Sequence, residues 1–132
     1  IYDELNSSHL CVHGASAQAL AIGYVQINLA DEFASSVTNN RPLNGAPPII
    51  THHHQPRDTE RMLDKIAELP RRQGTTDIGF DGIGVTVVDF DNMGGPVRVI
   101  ETPPAPRPGE AFHYDSMITR MANEYDSRFH AI

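Results

Sequence analysis

The spacing of apolar and polar positions changes period several times along the chain, and each change marks a predicted element. At 83–90, Ile83, Val85, Val87, Val88 and Phe90 make an almost unbroken apolar run, mostly β-branched. Such a run predicts a strand buried on both faces and interior in its sheet. Asn92, Gly94, Gly95 and Pro96 supply a turn, after which 97–101 reads as a partner strand. At 114–129 the period becomes helical: Tyr114, Met117, Ile118, Met121, Ala122, Tyr125 and Phe129 share one face, which is expected to pack on the sheet. On the opposite face Arg120, Glu124 and Arg128 pair at four-residue spacing. A further helix is predicted over 56–69, where Met62, Leu63, Ile66 and Leu69 form a stripe. Pro56 suits its first turn, Asp58 and Glu60 complement its dipole, and Pro70 stops it.

The N-terminal half carries two competing periods. His9, Cys11 and His13 alternate with Leu10 and Val12, which predicts a short strand over 9–13, ended by Gly14. Over 15–34, alanines favour helix, 24–29 alternates like a strand, and Ile22, Val25, Leu29 and Phe33 keep helical spacing. The helical spacing spans more of the segment, so one long buried helix over 15–33 is expected. The stretch 35–55, with its Ser, Asn, Pro and three histidines, reads as loop, and 103–108, with four prolines, as extended chain. Strand, helix, helix, hairpin, helix makes an α/β or α+β fold: a small mixed sheet flanked by three helices.

Composition narrows the class. A length of 132 residues fits a single domain, and a start at Ile1 rather than Met leaves room for a longer polypeptide. One cysteine excludes an internal disulfide and fits a reducing compartment. His13, Ser16, Gln18, Gln26 and Asn28 interrupt the apolar run at 11–30, so it predicts no membrane span. Asp3 and Glu4, with no cation before them, do not fit a secretory leader, and the chain reads as cytoplasmic. A net charge of −7 excludes generic polyanion binding. Arg57, Arg61, Lys65, Arg71 and Arg72 nevertheless form a local basic group, which keeps DNA as a candidate partner. Apolar surface left over on 15–33 or on the Met117/Met121 helix would be covered by a second copy, so a homodimer is expected.

Two groups of residues carry candidate chemistry. On one strand face, His9, Cys11 and His13 would offer imidazole and thiolate to Zn2+, or a Cys–His nucleophile pair. The plainer reading is a half-buried strand whose cysteine behaves as a small hydrophobe. Asp89 and Asp91 lie two positions apart at the carboxyl end of the predicted central strand, with Asp81 before it. That spacing puts two hard carboxylates on one face, the arrangement that holds Mg2+, although Asp is also common in strand-end turns. Asp89, Asp91 and His13 are thus the candidate catalytic residues. His52, His53 and His54 read as an exposed loop rather than a site, because consecutive residues rarely aim three nitrogens at one ion.

The succession of strand, small-residue turn and long apolar helix ending Asn28 to Phe33, then Phe80, Asp81, Gly82 and a Val-rich strand, resembles type II restriction-endonuclease-like proteins. The resemblance implies a mixed sheet flanked by helices and a metal-dependent endodeoxyribonuclease, with Mg2+ held by carboxylates. That family's catalytic strand carries an acidic–any–Lys triplet with an acidic residue upstream. Where the triplet would fall, this chain has Cys11, Val12 and His13; its one lysine, Lys65, is on a predicted helix, and Asp3 and Glu4 are the upstream carboxylates. A non-catalytic structural or oligomerisation module is the alternative from a different class.

Overall fold

The computed structural model describes residues 1–35 and 48–129. Their elements are α1 (Tyr2–Ala15), β1 (Ile22–Asn28), β2 (Glu32–Ala34), β3 (Ile50–His52), α2 (Arg57–Ala67), β4 (Gly82–Asp89), β5 (Arg98–Ile100) and α3 (Tyr114–Arg128). This is an α+β arrangement of three helices, a three-stranded mixed sheet and a two-stranded ladder. The Val-rich strand β4 is interior, as its pattern predicts, with β1 parallel on one side and β5 antiparallel on the other.

Register decides which residues meet. Gly23, Val25 and Ile27 pair with Ile83, Val85 and Val87, so these side chains share a sheet face. Ile66, Leu69 and Phe80 complete the core there, with half-buried Tyr2, Leu5 and Leu63 against them, so α1 and α2 cover that face. Met117 of α3 lies over the other face at Gly82 and Gly84. A Cβ on Gly84 would come within 2.6 Å of the Met117 sulfur, so glycine is what lets α3 approach. Among the described residues, no helix is long and apolar enough to cross a membrane.

Four expectations are corrected. Residues 9–13 are helical, not a strand, because Tyr2, Leu5, His9 and His13 recur every three or four positions on one face. Asp3 and Glu4 favour the first turn of that helix, and the Ser7 and Ser8 hydroxyls donate back to the Glu4 carbonyl (3.1 and 2.6 Å). The long helix over 15–33 is replaced by a turn, β1 and β2. Once β1 pairs with β4, the alternation of buried Val25 and Ile27 with exposed Tyr24 and Gln26 outweighs alanine propensity, which is spent before Ile22. Within the expected loop, Ile50–His52 pairs with Glu32–Ala34; the part of that expectation at 36–47 lies outside the described residues. Residues 103–108 are not simply extended, since Ala105 N–H donates to the Thr102 carbonyl (3.0 Å) and closes a turn.

Helix α3 packs on the sheet through only part of its expected face. Of its apolar stripe only Met117 is buried, while Tyr114, Tyr125 and Phe129 stay 44, 54 and 43% exposed. Arg120 and Arg128 reach inward instead. Arg120 Nε donates to the Asp81 carbonyl (2.7 Å), while the expected Glu124–Arg128 pair forms at 3.0 Å.

Candidate functional site

The carboxyl ends of the parallel strands β1 and β4 are bound together by one side chain. Asn28 Nδ2 donates to the Phe90 carbonyl (2.8 Å), and its Oδ1 accepts from Ala30 N–H and Phe90 N–H (3.1 and 3.3 Å). Gln55 Nε2 donates to the Asn28 carbonyl (3.2 Å), and its Oε1 accepts from the Thr59 backbone and hydroxyl (3.2 and 2.8 Å). The N-terminal turn of α2 is thereby held against the ends of the two strands.

Two clefts open at this edge, and Asp89 lines both. One, of about 430 Å³, also takes in Asp31, Gln55, Pro56 and Glu60; the other, of about 290 Å³, takes in Asp91, Gly95 and Arg98. Asp89 and Asp91 therefore line one cleft. Asp89 is ion-paired with Arg98, its cross-strand partner, and Asp91 Oδ1 accepts from Met93 N–H (2.9 Å) in the turn where Asn92 and Gly94 have positive φ.

The basic group is divided. Arg57, Arg61, Lys65 and Arg71 are exposed, but Lys65 pairs with Glu68 (2.7 Å) and Arg71 stacks on the Phe112 ring at 4.7 Å. Arg72 is a correction: it is fully buried and offers no surface to a phosphate.

Arg72 instead belongs to the most enclosed polar cluster among the described residues, built around the wholly buried Asp81. Asp81 Oδ1 accepts from Arg72 Nε (2.8 Å) and from Arg128, and Oδ2 accepts from Ala21 N–H (2.8 Å). Arg72 also donates to the carbonyls of Ala17 and Ala19 (3.1 and 2.7 Å). Burial pushes the Asp81 carboxyl up, but the bonds from Arg72, Arg128 and Ala21 outweigh it and hold the pKa at about 2. The cluster ties the α1–β1 turn, the start of β4 and the end of α3 to one carboxylate. Sequence reasoning read Arg120 and Arg128 as surface residues. The available signal was Asp81 itself, the one charge in the run 78–88, which needs a cation once buried.

On α1, His9 and His13 lie four residues apart on one face, with ring centres 6.3 Å apart, and His9 is buried against Phe80. Cys11 points elsewhere and is exposed, so the three-ligand strand face does not form. Burial, with His13 as a lesser cause, lowers the His9 pKa. Among the described residues, no three His, Cys, Asp or Glu side chains converge on one point. His52, His53 and His54 are all exposed, and His52 Nδ1 lies 3.3 Å from a Glu32 carboxylate oxygen.

The chain matches no protein-family model, no curated protein and no solved structure at a significant level.

Proposed function

We propose that this chain is part of a restriction-endonuclease-like DNA-processing protein whose divalent-metal position is the Asp89/Asp91 cleft. One observation carries the reading: both carboxylates line a single cleft at the carboxyl end of β4, beside the turn into β5. The donor set suits Mg2+, which takes one or two carboxylates and fills its other positions with water and substrate phosphate. When bound, such an ion activates water and neutralises the leaving oxygen of a phosphodiester. Arg98 lines the same cleft and supplies a cation for phosphate, and the exposed Arg57 and Arg61 stand on α2, whose start borders the neighbouring cleft. The test is Mg2+-dependent cleavage of duplex DNA by this chain and by Asp89→Ala. Cleavage lost in the variant supports the reading. Absence of cleavage, together with no DNA affinity at low salt, sinks it.

A second reading, a structural or oligomerisation module, is favoured by the exposed stripe of Tyr114, Tyr125 and Phe129 on α3. A second copy is the partner that this reading assigns to the stripe, since symmetric pairs are the commonest soluble assemblies. Light scattering separates the outcomes. A mass of about twice 14.5 kDa that falls with Tyr125→Glu supports the pair, and a constant 14.5 kDa ends it.

A further inference from the structure

We propose that the cavity between the start of α3 and β5 binds a small alkylated ammonium group, a site apart from the Asp89 cleft and independent of its reading. By register, Tyr24, Thr86 and Val99 lie on the sheet face that Met117 covers at Gly84. The helix begins at Tyr114, where that face borders a cavity of about 280 Å³ lined by these three side chains with Glu101, His113 and Tyr114. Tyr24 and Tyr114 are each nearly half exposed, with ring centres 5.6 Å apart and planes at 72°, so two aromatic walls meet at a corner. The Tyr24 hydroxyl donates to Thr86 Oγ1 (3.0 Å), which fixes one of those walls to β4.

The lining indicates what binds. Glu101 and Asp115 bring carboxylates to the cavity, and no Lys or Arg is among the described residues that line it, so a cation is favoured over an anion. His113 does not offset them. Its Nδ1 accepts from Asp115 N–H (3.3 Å), which leaves the ring proton on Nε2, 3.3 Å from Glu101 Oε1. Both ring nitrogens are thus committed to placing Glu101 and the first turn of α3, while the second Glu101 oxygen has no partner among the described residues. A hard metal ion needs several oxygen ligands, and a primary ammonium three acceptors. An alkylated ammonium needs neither: its methyl groups suit the apolar wall of Val99, Ile100 and Pro106, and its charge is attracted by the tyrosine ring faces. The volume, smaller than the roughly 300–1,000 Å³ of pockets for drug-sized ligands, restricts the site to a headgroup of this size.

The probe is choline, titrated into the full chain and followed by its own N-methyl proton signals and by the amide signals of Tyr24, Thr86 and Glu101. Saturable binding in the millimolar range is expected, with the methyl signals moved upfield by the aromatic rings. The neutral tert-butyl analogue of choline has its shape without its charge and should bind about fivefold more weakly or worse. Tyr114→Leu keeps an apolar residue at the start of α3 and should weaken choline about fivefold. Glu101→Gln keeps an acceptor for His113 and should weaken it about threefold at low salt. Both side chains are exposed, so circular dichroism should be unchanged in each variant. The same group occurs free or on a lysine side chain, so a short peptide carrying trimethyllysine is titrated beside choline. Tighter binding by the peptide assigns the group to a side chain; otherwise the free amine is its source. No saturable shift with either probe at tens of millimolar, equal binding of the neutral analogue, or affinity unchanged in either variant would overturn the site.

Discussion

Replacing Asp81 with Asn keeps the shape of the side chain and removes its charge. Two arginines then face a neutral amide, and one of them, Arg72, is wholly buried. Breaking a buried ion pair from one side costs about 3–5 kcal/mol. Here the lower end applies, because Arg72 keeps the carbonyls of Ala17 and Ala19 and Arg128 keeps Glu124. We expect a loss of about 3 kcal/mol, a large share of the roughly 5–15 kcal/mol that holds a domain together. Urea unfolding at pH 7, followed by circular dichroism, measures it. Asp89→Asn is the control: Asp89 and Arg98 are 28 and 68% exposed, and such surface pairs contribute about 0–1 kcal/mol. The pH dependence has a definite sign. A carboxyl ordinarily at 3.8 and held at about 2 when folded contributes about 2 kcal/mol above pH 4, lost as pH falls toward 2. Asp81→Asn should therefore flatten the acid limb of the stability curve by that amount. A variant within about 1 kcal/mol of wild type, or one with an unchanged acid limb, would refute the argument.

Two other outcomes follow from the packing. Gly84→Ala places a Cβ 2.6 Å from the Met117 sulfur and 3.1 Å from its Cβ, so the Met117 side chain must turn away and its backbone give by a few tenths of an ångström; overpacking of this kind costs about 1–3 kcal/mol in urea unfolding, and Met117→Ala in the same chain should relieve part of it. Cys11 is exposed on α1, so a thiol reagent should label the native protein as completely as the unfolded one; slow native labelling would contradict its placement.

The C-terminal half of the fold could be read from the chain because its signals agree with one another. Proline brackets α2, β-branched residues fill β4, and glycines mark the turn before β5, so each boundary falls within two residues of expectation. The N-terminal half carries conflicting signals. His9, Cys11 and His13 alternate like a strand while also lying on a helix whose buried face runs Tyr2, Leu5, His9. The alternation at 22–28 is decisive only beside β4, sixty residues later, a partner that local spacing cannot supply. The same distinction separates the candidate sites. Asp89 and Asp91 line one cleft from two positions apart at one strand end, whereas Asp81 finds Arg128 across 47 positions. The arginines of α3 look like surface residues until the carboxylate beneath them is placed.

The proposed divalent-metal position at the carboxyl end of β4 can be probed by paramagnetic broadening of backbone amides with substoichiometric Mn2+ in place of Mg2+. Broadening centred on Asp89, Asp91 and the cleft wall at Gly95 and Arg98, abolished by Asp89→Asn, is the expected result. Absence of broadening, or broadening centred on another part of the chain and indifferent to Asp89→Asn, would contradict it.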